Sequence, residues 1–344
     1  MQIAEKIREA DELAPYVPET AVRGGIRIFG SVLKGNVEAL ERGFLTFHPQ
    51  AEFANNFMTS SEGAMAGLYT GLADLAPAGD DAKITDILPF YQVFRRLPFE
   101  ISVATGGYEQ RGTLWAVPIV VHAENPIRGL TLDQLAGIFG EQRTGGWDGI
   151  QYTARYARGP EENIRTWGQL GLGGEWTDKP IQTYGYCAPG FAYYFQRKLF
   201  HHSDKWNPNF RQYVEAKQTP DDELGAAVAS ERMLEELSRD RYGIAWAALM
   251  HTKSYPAVRP VPLAASASGP FVPITPATVR DRTYPLIRDA YFYADREPGR
   301  PLKGKVREFL RYALSREGQW VIDDLGIFNP LPPAVAAEQL AKLG

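Results

Sequence analysis

Two stretches of the chain place hydroxyl side chains where a helical period begins. Gly30-Ser31 follows the short apolar-biased run Ile26-Arg27-Ile28-Phe29 and precedes Leu33, Val37, Leu40 and Phe44 at helical spacing, an order of strand, turn and amphipathic helix. Thr59-Ser60-Ser61-Glu62 has capping-box spacing and leads into Met65, Leu68, Tyr69 and Leu72 on one helical face. The first N–H groups of a helix have no partner inside it, and its dipole is positive at that end. Such a start can hold a small anion without a full positive charge, and Ser31, Ser60 and Ser61 add hydroxyl donors. An ordinary helix cap accounts for the same residues without any ligand, and a capping box by itself explains Thr59 and Glu62.

Other chemistries find less support. His201 and His202 are adjacent, so they point apart on a helix with no third ligand at useful spacing, and they read as hydrated surface residues. His122 and His251 read as structural. The single Cys187 excludes an intramolecular disulfide and a Cys-rich metal site, and with no His as an evident base it reads as a packing thiol. Gly171, Gly173 and Gly174 do not follow the strand-turn-helix form of a dinucleotide fingerprint, and there is no Walker loop, nucleophile elbow or His-Glu-x-x-His. The pairs Asp80-Asp81, Asp221-Asp222 and Asp323-Asp324 suit helix starts and solvated faces better than general acid and base work. Neither an enzyme nor a cofactor or metal site is expected. With 37 Lys and Arg against 41 Asp and Glu, a formal net charge of −4, the chain lacks the electrostatic footprint of a nucleic-acid binder.

These residues need elements to position them. At 344 residues the chain exceeds what one hydrophobic core usually serves, so two domains are expected. Leu97 to Ala104 and Thr113 to His122 are β-rich runs separated by Gly106-Gly107-Tyr108, where a first crossing between lobes is placed. Thr131 and Gln134 form a capping box before Leu132, Leu135, Ala136 and Phe139. Pro180 to Tyr186 reads as a strand ending at Cys187-Ala188-Pro189-Gly190, after which Phe191, Phe195 and Leu199 open a helix. The chain-breaking stretch 256–276 holds the expected second crossing. Val306, Phe309, Leu310, Ala313 and Leu314 make a helical stripe, and Gly326 suits a C-cap. Strands alternating with helices indicate α/β layers in each half. No stretch approaches 18 consecutive apolar residues, and Met1-Gln2-Ile3-Ala4-Glu5-Lys6 lacks the apolar core of a signal peptide.

From about Ile26 to Leu331 the chain resembles the phosphate-type periplasmic substrate-binding proteins, which deliver solutes to ABC transporters. The resemblance is carried by Thr283-Tyr284-Pro285-Leu286-Ile287-Arg288-Asp289-Ala290-Tyr291-Phe292-Tyr293, by Val306 to Leu310, by Ser315-Arg316-Glu317-Gly318-Gln319 and by Gly326, Pro330 and Leu331. Val117-Pro118-Ile119-Val120-Val121, Asn125-Pro126 and Leu130 to Leu135 add to it. It implies an α/β, two-lobed class II periplasmic-binding-protein fold with a two-crossing hinge. The expected division is a leader at 1–25, a discontinuous first lobe at 26–107 and 256–332, a second lobe at 108–255 and a tail at 333–344. It further implies a monomer, periplasmic or extracellular and membrane-associated, that binds phosphate or another small anion in the cleft between lobes and meets the membrane subunits of a transporter.

By the same resemblance the anion would meet Gly30, Ser31, Val32 and Leu33 in a first loop, Ser60 and Ser61 in a second, and the acid Asp74. Asp74 would accept a hydrogen bond from a protonated oxyanion and repel a ligand without that proton. The third loop departs from the pattern: Pro189-Gly190-Phe191 stands over the family's Ser-Gly-Thr, and Tyr184, Gly185 and Tyr186 lie near the expected Arg. Two hydroxyls and a bidentate guanidinium are lost there, with Arg23, Arg27, Arg143 and Arg165 as candidates to compensate. The alternatives are a sensory or scavenging binding protein with a less charged ligand, and a phosphatase-class enzyme on the same fold.

Overall fold

Alternating burial along Gly24–Gly30 (β1), with Ile26, Ile28 and Gly30 inside, is what one packed sheet face requires. In this computed structural model, which describes residues 9–30, 33–57, 63–79, 81–106, 116–187, 191–214, 224–247 and 249–344, β1 is followed by α1 (Lys34–Phe47), β2 (Ala51–Phe57), α2 (Ala64–Tyr69), β3 (Ala76–Ala78), α3 (Ile84–Phe94) and β4 (Phe99–Gly106). The middle of the chain contributes β5 (Ile119–His122), β6 (Leu130–Thr131), α4 (Leu132–Phe139), β7 (Gly146–Asp148), β8 (Gln151–Thr153), β9 (Gln182–Tyr186), α5 (Phe191–Phe200) and β10 (Arg211–Tyr213). It continues through α6 (Leu224–Leu237), β11 (Gly243–Trp246), α7 (Leu249–Thr252), β12 (Val258–Pro260), β13 (Leu263–Ala264) and α8 (Pro276–Arg280). The last segment holds β14 (Asp289–Ala294), α9 (Gly304–Ala313), α10 (Arg316–Leu325), β15 (Phe328–Asn329) and α11 (Pro333–Ala341). The chain divides into two compact units: residues 1–79, 89–107 and 289–344, and residues 80–88 with 108–288.

In the first unit β1 pairs in parallel with β2, and Ile28 bridges Leu75 in parallel just before β3. β14 then runs antiparallel between β3 and β4, and β15 closes the far edge. Val37, Leu40 and Phe44 are buried, so the helical face read from the sequence is the face α1 packs inward. α9 buries Val306, Phe309, Leu310 and Ala313, Ser315 caps α10 through the Gly318 N–H, and Gly326 ends that helix at φ 66°. That left-handed conformation is one glycine adopts at little cost.

The leader, expected at 1–25 as a helical or loosely attached segment, packs into this unit from Ala10 to Val22. Ala10, Tyr16 and Val22 are buried. Val22 donates its N–H to Nδ1 of His48, whose Nε2 therefore carries the proton and meets the Tyr16 hydroxyl at 2.7 Å. Tyr16 passes its own proton bond to Glu308 at 2.7 Å, and Glu19 pairs with Arg307 and Arg311.

The second unit repeats the winding. Its sheet has the order β10-β9-β11-β5-β12, the first three strands parallel and β5 antiparallel to both its neighbours. α4 carries the reciprocal Thr131–Gln134 capping box that the spacing predicts. The stretch 256–276 does not form the crossing expected of it: β12 pairs with β5 and β13 with β6, so the unit runs on to Arg288. Pro260 ends β12 at the edge of its sheet, where a missing N–H costs no ladder bond.

Candidate anion-binding site

In an open α/β sheet, ligands settle beyond the carboxyl ends of parallel strands, where the strand order reverses. In the first unit that point is the end of β1, flanked by β2 on one side and β3 on the other. Gly30 lies there, so close to β3 that a Cβ would stand 2.4 Å from Cγ of Pro77. Only a glycine lets the two strands run together up to this edge. α1 starts from Leu33, which has no capping side chain. Ser31, Val32, Ser60 and Ser61 lie outside the described residues. In the second unit the corresponding point is the end of β9, flanked by β10 and β11. Pro189 and Gly190 are outside the described residues, and Phe191 begins α5.

Asp74 lies at the opposite end of the first unit's strands from Gly30. It precedes β3, and its N–H donates to the carbonyl of Arg27, so it sits at the amino end of the strands whose carboxyl ends are Gly30 and Ala78. Its carboxylate is buried and saturated. Arg27 approaches both oxygens, at 3.1 and 3.2 Å, Lys303 reaches Oδ1 at 3.0 Å and Lys305 reaches Oδ2 at 3.0 Å. Burial alone would raise its pKa, but the hydrogen bonds from Arg27, Lys303 and Lys305 hold the group well below the usual carboxylate range. Asp74 thereby ties the start of α9 to β1.

Tyr184 is likewise withdrawn. The residue is 3% exposed, its ring packs against Gly243, and its hydroxyl donates to Asp240 at 2.8 Å, toward the start of β11 rather than the end of β9. The candidate compensating arginines are engaged or remote. Arg143 donates from Nε to the Tyr156 carbonyl, Arg165 binds the carbonyls of Gly137 and Gly140 and the Glu141 carboxylate, Arg27 holds Asp74, and Arg23 is exposed.

A different acid and a different arginine come together in the second unit. Asp81, the second residue past Gly79 at the carboxyl end of β3, has a 3% exposed side chain and meets Nη1 of Arg197 on α5 at 2.7 Å. Lys83 is buried beside it, with its ammonium 4.6 Å from the centre of the Tyr193 ring. His202 is half-buried rather than hydrated, and burial together with Arg197 pushes its pKa down to about 4. The sequence signal for Asp81 is an acid just past the third parallel strand, which adjacency to Asp80 disguises as a solvated pair. Among the described residues no group of three or more His, Cys, Asp or Glu is arranged to hold a metal, and no helix is long and apolar enough to cross a membrane.

Two units wound as three parallel strands beside an antiparallel one, each with a helix start at its switch point, define the fold of the phosphate-type periplasmic substrate-binding proteins. In sequence the chain is similar to the phosphate-binding protein PstS of Pseudomonas aeruginosa, 27% identical over 334 residues that cover 96% of this chain and 91% of that one. Among solved structures it is similar to PstS from Borrelia burgdorferi, with a TM-score of 0.55 at 14% identity, covering 90% of this chain and 99% of that one. It is also similar to an ABC-type phosphate transport receptor from Vibrio cholerae, with a TM-score of 0.52 at 16% identity, covering 89% and 100%. No family model matches the chain.

Proposed function

We propose that this protein is an extracytoplasmic binding protein that captures phosphate or a closely related oxyanion and passes it to the membrane subunits of an ABC transporter, without turning it over. The observation that carries this reading is the end-to-end similarity to a phosphate-binding protein, over 96% of the chain, in a fold whose switch points fall at the loops read as anion-binding. Gly30, Ser31, Val32 and Leu33, with Ser60 and Ser61, are the donors of the first unit, and the helix start at Pro189-Gly190-Phe191 is that of the second. Asp81 replaces Asp74 as the acid that selects a protonated oxyanion, and Arg197 orients it. The net charge of −4 gives no footprint for a nucleic-acid partner.

Calorimetric titration of protein stripped of bound phosphate tests this. Phosphate is expected to bind and sulfate, which carries no proton at neutral pH, to bind far more weakly. Ser31→Ala is expected to lower phosphate affinity about tenfold, the loss of one hydrogen bond to a charged group. Absence of phosphate binding in the native chain, or release of phosphate from a phosphoester, contradicts the proposal.

A further inference from the structure

The network around Asp74 leaves positive charge unspent. Arg27, Lys303 and Lys305 share one carboxylate, and the other acid beside them, Asp295, is already paired with Arg96 through two contacts of 2.6 and 2.7 Å. Lys305 and Arg27 use further donors on the carbonyls of Gly25 and Gly71. Lys303 has no such second partner among its hydrogen bonds, and its side chain is 65% exposed. α9 begins at this point without a capping side chain or an acid in its first turn, so its positive end adds to the surplus.

A cavity of about 160 Å³ opens beside the cluster, with Arg27, Asp74 and Lys303 along one part of its wall. Leu68, Phe94, Leu302 and Val306 form its apolar part, and Gly71, Ala73 and Asp295, the last held by Arg96, complete the wall. A cavity of ~150 Å³ takes a benzene-sized molecule. The part of the wall around Lys303 and Arg27 calls for negative charge and the part around Leu302 and Val306 offers hydrocarbon contact, a pairing that an inorganic anion does not use.

We propose that this cavity is a second binding site, distinct from the carboxyl end of β1, and that it takes a short-chain monocarboxylate with its charge on Lys303 and Arg27 and its alkyl tail against Leu302 and Val306. A second carboxylate beside Asp74 turns a cluster of three cations on one anion into three on two. All of the contributing residues belong to the first unit.

Ligand-observed NMR titration with butyrate, which has as many heavy atoms as benzene, is the test, with butylammonium and butanol as controls. Butyrate is expected to bind at millimolar concentration and the two controls not to bind. Lys303→Gln is expected to weaken butyrate about tenfold and Lys303→Glu to abolish it, while phosphate binding stays unchanged in both. The lysine is exposed enough for both variants to fold, and their melting curves verify that. The proposal is overturned by an absence of butyrate binding, by equal binding of butylammonium, or by butyrate affinity that neither substitution alters. Loss of phosphate binding in the native chain bears only on the proposed function and leaves this test intact.

Discussion

Glu41 shows how one buried side chain sets a pH dependence for the fold. It lies on the inner face of α1 at 7% exposure, with both carboxylate oxygens taking bonds from Asn55 at 2.9 and 3.0 Å. Burial raises its pKa to about 7, the Asn55 bond offsetting only part of that and the nearby Glu38 adding to it. An unfolded Glu titrates near 4.3, so between about pH 4.3 and 7 the folded chain holds the proton more tightly. Stability therefore falls as pH rises through that window and is level above it. Glu41→Gln is expected to leave the melting temperature unchanged at pH 4 and to raise stability by about 1–3 kcal/mol at pH 8, as thermal unfolding at the two pH values would read. At this scale sequence was an uneven guide. The resemblance points to Asp74 as the acid and adjacency reads Asp80-Asp81 as a solvated pair, whereas which acid stands at the carboxyl end of β3 depends on the pairing of Ile28 with Leu75, a long-range contact that no local spacing encodes.

Elements were far more legible. The stripe on α1, the capping box on α4 and the Gly326 stop on α10 are local, and each appears where its residues predict. Contacts between elements were not, and glycines make the difference measurable. A methyl at Gly30 would meet Pro77 at 2.4 Å, whereas a methyl at Gly35 on α1 would find Ile327 at an ordinary 3.8 Å. Gly30→Ala is expected to destabilise by about 1–3 kcal/mol through overpacking of β1 on β3, and to weaken phosphate binding by shifting the loop that follows. Gly35→Ala is expected to stabilise by about 0.5 kcal/mol through helix propensity. Denaturant unfolding of the two variants separates packing from propensity. Equal effects would mean that the end of β1 moves freely.

At the level of the whole molecule the alternation of strands and helices predicts α/β layers in each half, while the contacts at the ends of the first unit are long-range. The few apolar residues of the leader carry no local signal for their partners, and Ala10, Tyr16 and Val22 are buried, Tyr16 against His48 after α1 and Glu308 on α9. Beginning the chain at Arg23 is expected to cost at least about 3 kcal/mol, the burial of one Tyr and one Val. Hydrogen exchange should place the loss in the first unit, with the β9 and β11 amides unchanged. Uniform loss across both units would contradict that assignment.

The first unit's three separate segments also set a timetable for biosynthesis. Tyr293 on β14 bonds Glu100 on β4 across 193 residues of sequence, so β4 leaves the ribosome long before the strand that completes its sheet. At ~5–20 residues per second that interval is about 10–40 s. By its end the second unit has all of its strands and can close, while the first waits with an open edge. A nascent chain of this design stays half-folded until its last fifty or so residues arrive, a window in which a chaperone or a translocation machine can still engage it.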